Sequence, residues 1–251
     1  MKKFNYSLTT RYKLSVSYDG SKFYGSQIQN DKPTVAGRLS EALEKVLGVS
    51  PRVLFASRTD RGVHARENVC SFSEALKMPE DAFVRAVNAR LGGYIKINKL
   101  MKTGDSFNPR HGCLSKTYRY YVRTAGVFPY MRDYVFSVSS ELDRKKMEKA
   151  ASLLAGKKDF RRLSSCSNRE NTMCDIINCR LSKGKSEFFI ETEGSHFLYK
   201  MVRTAAAFVI ACGKGKVKPE DISAILDGKL NRIAPAPACG LYLWRVEYAV
   251  S

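Results

Sequence analysis

The run Ser57-Arg58-Thr59-Asp60-Arg61-Gly62-Val63-His64-Ala65 sets one carboxylate between two guanidinium groups, next to a glycine that permits a tight turn. Positive charge on both sides favours the ionised carboxylate, the form that a nucleophile or general base needs. Asp60 also suits a plainer task, capping the turn as Asp side chains commonly do, and the residues alone leave both readings open. A second group lies in Gly194-Ser195-His196-Phe197-Leu198-Tyr199-Lys200-Met201-Val202-Arg203, which runs from a strand into an apolar helix. Arg203 has Phe197, Met201, Ala205 and Phe208 for neighbours, so it either finds a carboxylate partner, because an unpaired buried charge is costly, or carries its guanidinium along its stem to solvent. His196 and His64 read as hydrogen-bonded histidines rather than as ligands or bases.

A third group, Lys116-Thr117-Tyr118-Arg119-Tyr120-Tyr121, interleaves aromatic and cationic side chains on a strand. That pattern suits stacking on a nucleobase while neutralising phosphate, and tyrosines at alternate strand positions equally suit core packing. The charge inventory bears on the partner. Lys and Arg number 43 against 24 Asp and Glu, a formal net charge of +19, and a surplus of this size points to a polyanion, with nucleic acid first. Lys157, Lys158, Arg161, Arg162, Lys214, Lys216 and Lys218 read as solvated faces that together track phosphates.

Several chemistries are excluded. The chain lacks the Gly-x-x-x-x-Gly-Lys-Ser/Thr phosphate loop, the Gly-x-Gly-x-x-Gly dinucleotide fingerprint, the Gly-x-Ser-x-Gly elbow and His-Glu-x-x-His. The seven cysteines (Cys70, Cys113, Cys166, Cys174, Cys179, Cys212 and Cys239) form no disulfide framework and no zinc spacing, so they read as ordinary thiols in a reducing compartment. The basic N-terminus is not followed by an apolar stretch, and the apolar run from Ala205 to Cys212 is too short to span a bilayer. A soluble, cytoplasmic enzyme that handles a nucleotide without cofactor or metal is the expectation.

Two α/β halves would position these groups. In the first, Tyr12, Leu14, Val16 and Tyr18 alternate as a strand closed by Asp19-Gly20, and a helix follows over 35–47 with Thr34 and Gly48 as its caps. Strands over 52–56 and 67–72, a helix over 80–91 and a strand over 94–99 complete a β-α-β-β-α-β order. After a loop over 103–115 the order restarts. It comprises a strand over 116–123, a helix opened by Ser140 and Asp143 as a capping box, a hairpin of 176–181 and 187–192, and a helix over 198–211. A short helix over 219–228 and a strand over 241–249 follow. The expected fold class is therefore α+β with mainly antiparallel sheets, divided at 1–112 and 113–251, with a cleft between the halves as the natural site.

The loop sequence Arg58-Thr59-Asp60-Arg61-Gly62-Val63-His64-Ala65 resembles the signature of the TruA-type tRNA pseudouridine synthases. Further blocks resemble that family in its order: Tyr18-Asp19-Gly20 with Tyr24-Gly25 and Gln27, Ala86-Val87-Asn88, Phe107-Asn108-Pro109-Arg110, Lys116 to Tyr120, Phe197 to Arg203, and Pro237 to Leu241. The resemblance covers nearly the whole chain. It implies that the cleft between the halves is basic, and that a homodimer isomerises uridine to pseudouridine in the anticodon stem-loop of tRNA, at positions 38 to 40, without cofactor or metal. It further implies that Asp60 acts on the flipped nucleotide, that Tyr118 stacks on the base, and that Arg203 pairs with Asp60. Arg58, Arg61, His64, Arg110 and Lys116 would contact the RNA. Ser26 stands where the family often has Trp, and Arg61 where Ala is frequent. The competing expectations are a non-catalytic RNA-binding or RNA-folding protein on the same scaffold, and a relative that modifies other tRNA uridines.

Overall fold

The computed structural model describes residues 10–165 and 170–249, so Cys166 lies outside the described residues. Two units emerge, Met1–Cys113 with Tyr248–Ser251, and Leu114–Glu247. The architecture is mixed α+β with mostly antiparallel pairing.

The first unit runs β1 (Thr10–Tyr18), α1 (Val35–Leu47), β2 (Leu54–Phe55), β3 (His64–Glu74), α2 (Glu80–Asn88) and β4 (Ile95–Thr103). Strand β1 lies between β4 and β3, antiparallel to both, and β2 adds to β3. The alternating apolar residues of β1 become the core: Tyr12, Leu14, Val16 and Tyr18 are buried, with Leu39 and Leu43 of α1 and Phe83 and Val87 of α2. Tyr12, Phe72 and Phe83 stack in series, at centroid separations of 5.5 and 6.0 Å. Each such side chain contributes roughly 1.5–3 kcal/mol on burial. Thr34 caps α1 by accepting a hydrogen bond from Gly37 N, and Gly48 closes it at φ 80°. Helix α2 stops at Asn88, short of the expected 91. The Asn88 amide leaves the helix to pair with Ile97, donating to its carbonyl (3.0 Å) and accepting from its N–H (2.8 Å).

The second unit holds β5 (Cys113–Arg123), whose first residue belongs to the other unit, then β6 (Phe136–Ser137), α3 (Arg144–Leu154), β7 (Gly156–Asp159) and β8 (Met173–Leu181). β9 (Glu187–Gly194), α4 (Met201–Gly213), α5 (Asp221–Leu226) and β10 (Leu241–Tyr248) complete it. Its strand order is β10-β5-β9-β8-β7, with β6 parallel to β5. Helix α4 is buried on nearly every side, as its continuous apolar composition requires. It approaches α3 closely: a Cβ on Gly213 would sit 2.6 Å from Met147 Cγ.

Four local expectations change. Asp143, not Ser140, caps α3, accepting from Lys146 N at 3.1 Å. Helix α4 begins at Met201 rather than 198, because Lys200 adopts a left-handed φ of 62°. Strands β6 and β7 are too short and polar to show a period in the sequence. Lys158 and Arg162 are not merely solvated. Lys158 donates to the carbonyls of Leu153 and Ala155 at the end of α3, and Arg162 donates to Leu230 O at 2.9 Å.

Candidate active site

The loop between β2 and β3 carries Asp60. It is clasped by the segment that follows β1, and glycine makes the approach possible. A Cβ on Gly20 would lie 1.9 Å from the Val63 carbonyl oxygen, and one on Gly25, at φ +96°, would lie 2.8 Å from Thr59 O. Gly62 N donates to Gly20 O (3.2 Å), and Val63 N closes the turn onto Asp60 O (3.1 Å). Gly62 itself sits at φ 79°, a conformation that side chains resist.

Thr59, next to Asp60, is fixed at every polar atom. Its N–H donates to Ser26 Oγ (2.8 Å), its carbonyl accepts from Ser26 N (3.0 Å), and its hydroxyl meets the Tyr18 hydroxyl at 2.8 Å. Tyr18 OH in turn accepts from Asn68 Nδ2 at 3.1 Å, and the same amide donates to Ser57 O at 3.0 Å. Burial pushes the Tyr18 phenol up to about 12, against the lowering effect of its Thr59 and Asn68 hydrogen bonds, so it stays neutral at physiological pH. Asp60 is half-buried, while Arg58 and Arg61 on either side are exposed. The Arg61 guanidinium stacks over Tyr24 at 4.2 Å.

His64 is 2% exposed, which places it in the support of the loop rather than on an RNA-facing surface. Its Nδ1 lies 3.1 Å from Gly20 N and 3.3 Å from Asp19 Oδ1, which ties the start of the 20–26 segment to the end of the loop. Arg110 is exposed beside an Asx turn, with its N–H on Asn108 Oδ1 at 2.9 Å.

In the second unit, Tyr118 of β5 is 6% exposed and meets Phe197 edge-on at 5.3 Å. Tyr120, two residues on, is core and donates its hydroxyl proton to Pro237 O at 2.9 Å. Arg203, in the first turn of α4, is half-buried, and its Nε donates to Ala236 O at 2.8 Å while Ala236 N donates back to Arg203 O at 3.2 Å. The 236–240 segment therefore bridges β5 and α4, and Gly240 lets it approach, since a Cβ there would lie 2.8 Å from Tyr121 O. Lys116 is half-buried at the start of β5, in register with Gly194.

Arg119, read with Tyr118 as a cation facing phosphate, is committed within the protein. It is sandwiched between Phe189 (4.2 Å) and Trp244 (3.9 Å) and ion-paired to Glu191 at 2.7 Å. His196 is hydrogen-bonded, with Ser195 Oγ at 3.2 Å from Nδ1 and Cys174 Sγ at 3.4 Å from Nε2. Ser26, Asn68 and the 236–240 segment were not singled out for chemistry or support by sequence reasoning. One signal was available: Asn68 stands in the interior of a strand, where Asn is disfavoured. Among the described residues no group of His, Cys, Asp or Glu side chains is arranged to hold a metal ion, and no helix is long and apolar enough to cross a membrane.

With this geometry in place, the comparisons with known proteins are specific. Residues 150–249 match the family model described as tRNA pseudouridine synthase. The tRNA pseudouridine synthase A of Listeria monocytogenes serotype 4a is 35% identical over 246 residues, covering 95% of this chain and 99% of that protein. Those of Thermosipho africanus (35% over 242 residues, 95% and 99% covered) and Oceanobacillus iheyensis (37% over 252 residues, 95% and 96% covered) are similar to the same extent. Among solved structures, the archaeal box H/ACA sRNP Nop10-Cbf5 complex matches at a TM-score of 0.39 and 9% identity, over 80% of this chain and 43% of that one. The likeness to the three relatives defines an isomerase. The chain belongs to the tRNA pseudouridine synthase A family.

Proposed function

We propose that the protein isomerises uridine to pseudouridine at positions 38 to 40 of the tRNA anticodon stem-loop, acting as a cytoplasmic homodimer with Asp60 as its catalytic carboxylate. The observation that carries this reading is the Asp60 loop. The residue before Asp60 is locked on three sides, whereas Asp60 remains half-buried between two exposed arginines. A rigid backbone that presents one carboxylate is what a reaction at a fixed nucleotide requires.

The reaction breaks the C1′–N1 glycosidic bond, turns the freed uracil, and joins C1′ to C5. C5 loses its proton and N1 gains one, so no redox partner or added atom is needed. Chemistry on a stacked base requires the nucleotide to leave the helix, and Arg58 and Arg61, exposed beside Asp60, suit contact with the displaced backbone. Arg110 and Lys116 extend the cationic surface. Tyr118 packs against the base, and Arg203, held by Ala236, supplies positive charge for the reaction.

The test uses the full chain and unmodified tRNA transcripts without added metal or nucleotide, with pseudouridine mapped by carbodiimide-dependent reverse-transcription stops. New stops at positions 38 to 40 are expected. Stops confined to another arm would overturn the site assignment, and tight tRNA binding without any stop would overturn the activity.

A further inference from the structure

We propose that Tyr18, Ser26 and Asn68 are positioning residues that aim Asp60 by holding Thr59; this rests on the assignment of Asp60 as the catalytic carboxylate. The three come from different parts of the unit: the end of β1, the loop after it, and the middle of β3. All converge on the one residue that precedes Asp60, directly or through the Tyr18 hydroxyl.

The bonds of Asn68 have directions set by the chemistry of the amide. Asn68 is 0% exposed and its amide nitrogen can only donate, so the Tyr18 oxygen accepts from it at 3.1 Å. The same oxygen meets the Thr59 hydroxyl at 2.8 Å, where either group can donate. The Asn68 oxygen accepts from Val69 N at 2.9 Å, which fixes the orientation of the amide. The chain Asn68, Tyr18, Thr59 thus runs from an amide anchored in the sheet to the residue before Asp60. Ser26 closes the opposite side by bonding both the N–H and the carbonyl of Thr59, and Ser26 is itself 2% exposed. A serine supplies an acceptor to Thr59 N here, which an indole could not do because its nitrogen only donates. This part of the clamp therefore depends on the residue this chain carries.

The network contains no group that changes charge near neutral pH. Its effect is to restrict the direction of one carboxylate, and displacement of a reacting group by about 1 Å costs on the order of 100-fold in rate. Stability alone would not need the bonds to gather on Thr59. The bonds that Tyr120 and Tyr248 make to Pro237 O and Pro109 O show that this fold also ties tyrosine hydroxyls to single carbonyls elsewhere.

The experiment measures single-turnover pseudouridine formation, tRNA affinity and thermal midpoint for the full chain carrying Tyr18→Phe, Thr59→Val, both together, Ser26→Ala, and Tyr248→Phe as a hydroxyl-removal control, with Asp60→Asn alongside. Tyr18→Phe and Thr59→Val should each lower the rate about 10- to 100-fold, leave tRNA affinity within about twofold, and give a double variant no slower than the slower single, because either change alone already breaks the Tyr18–Thr59 bond and Tyr18→Phe removes the Asn68 bond with it. Ser26→Ala should lower the rate in the same way, and Tyr248→Phe should not. Unchanged rates in Tyr18→Phe, losses that multiply in the double variant, or an equal loss in Tyr248→Phe would each overturn the positioning role. If Asp60→Asn retains the wild-type rate, the catalytic assignment falls and this inference with it. If Asp60→Asn is inactive and Tyr18→Phe is fully active, the positioning role alone falls.

Discussion

Glu191 sits at the meeting of two cations, Arg119 from β5 and Arg180 from β8, each 2.7 Å away. Burial by itself would raise the Glu191 pKa, and the hydrogen bonds and charges of the two arginines outweigh it, holding the carboxyl below its ordinary value. A carboxylate whose folded-state pKa is depressed adds stability that is complete above the ordinary carboxylate pKa of about 4.3 and is lost as pH falls through the lower folded value. Glu191→Gln should therefore destabilise the protein at neutral pH, by roughly 1–3 kcal/mol, and the deficit should shrink as both proteins are acidified below about pH 4. Denaturant melts at several pH values measure this; a deficit that stays constant to the acid limit would show that packing, not charge, is lost. Because the same arginine lies between Phe189 and Trp244, its place is set by the sheet, and Arg119 is removed from the cations that can meet RNA.

At the scale of elements, the loop that bears Asp60 has its shape from its neighbour. Gly20 and Gly25 allow the 20–26 segment to lie against residues 59–63 at distances no side chain would permit. Gly20→Ala would place a methyl 1.9 Å from the Val63 carbonyl oxygen, so one of the two segments must move. A stability loss of about 1–3 kcal/mol, the usual cost of overpacking, should accompany a larger loss of catalytic rate; a rate unchanged at equal folded fraction would show that the clasp does not hold the loop. Much of this element level was legible beforehand. Period-two alternation found β1, and the Thr34 and Gly48 caps bracketed α1 correctly, because both signals are local. The end of α2 was not legible, since the Asn88 side chain at its last residue bonds a partner nine residues away in β4. Nor were β6 and β7, whose pairing partners, not their own composition, make them strands. The loop sequence pointed to Asp60 through the two flanking arginines, yet its support lay in Tyr18, Ser26 and Asn68, which read as strand and turn residues until tertiary structure brought them to Thr59.

The whole molecule carries a formal net charge of +19, and some of its cations, Arg119, Lys158 and Arg162 among them, are bonded within the protein. Enough remains exposed, Arg58, Arg61 and Arg110 among it, for phosphate neutralisation to dominate RNA affinity. The logarithm of the tRNA association constant should fall linearly with the logarithm of salt concentration, at a slope of about −0.7 to −0.9 for each phosphate contacted. Removing one exposed arginine, as in Arg110→Ala, should lower that slope by about one contact. An affinity indifferent to salt would contradict an electrostatic interface.

The account depends most on Asp60, and the direct measurement is the rate of pseudouridine formation in a tRNA transcript by the wild-type chain and by Asp60→Asn, with tRNA affinity measured on the same samples. The account predicts that product falls to background in the variant while affinity is nearly kept, since a half-buried carboxylate repels phosphate rather than binding it. Pseudouridine formed by Asp60→Asn at the wild-type rate would contradict it.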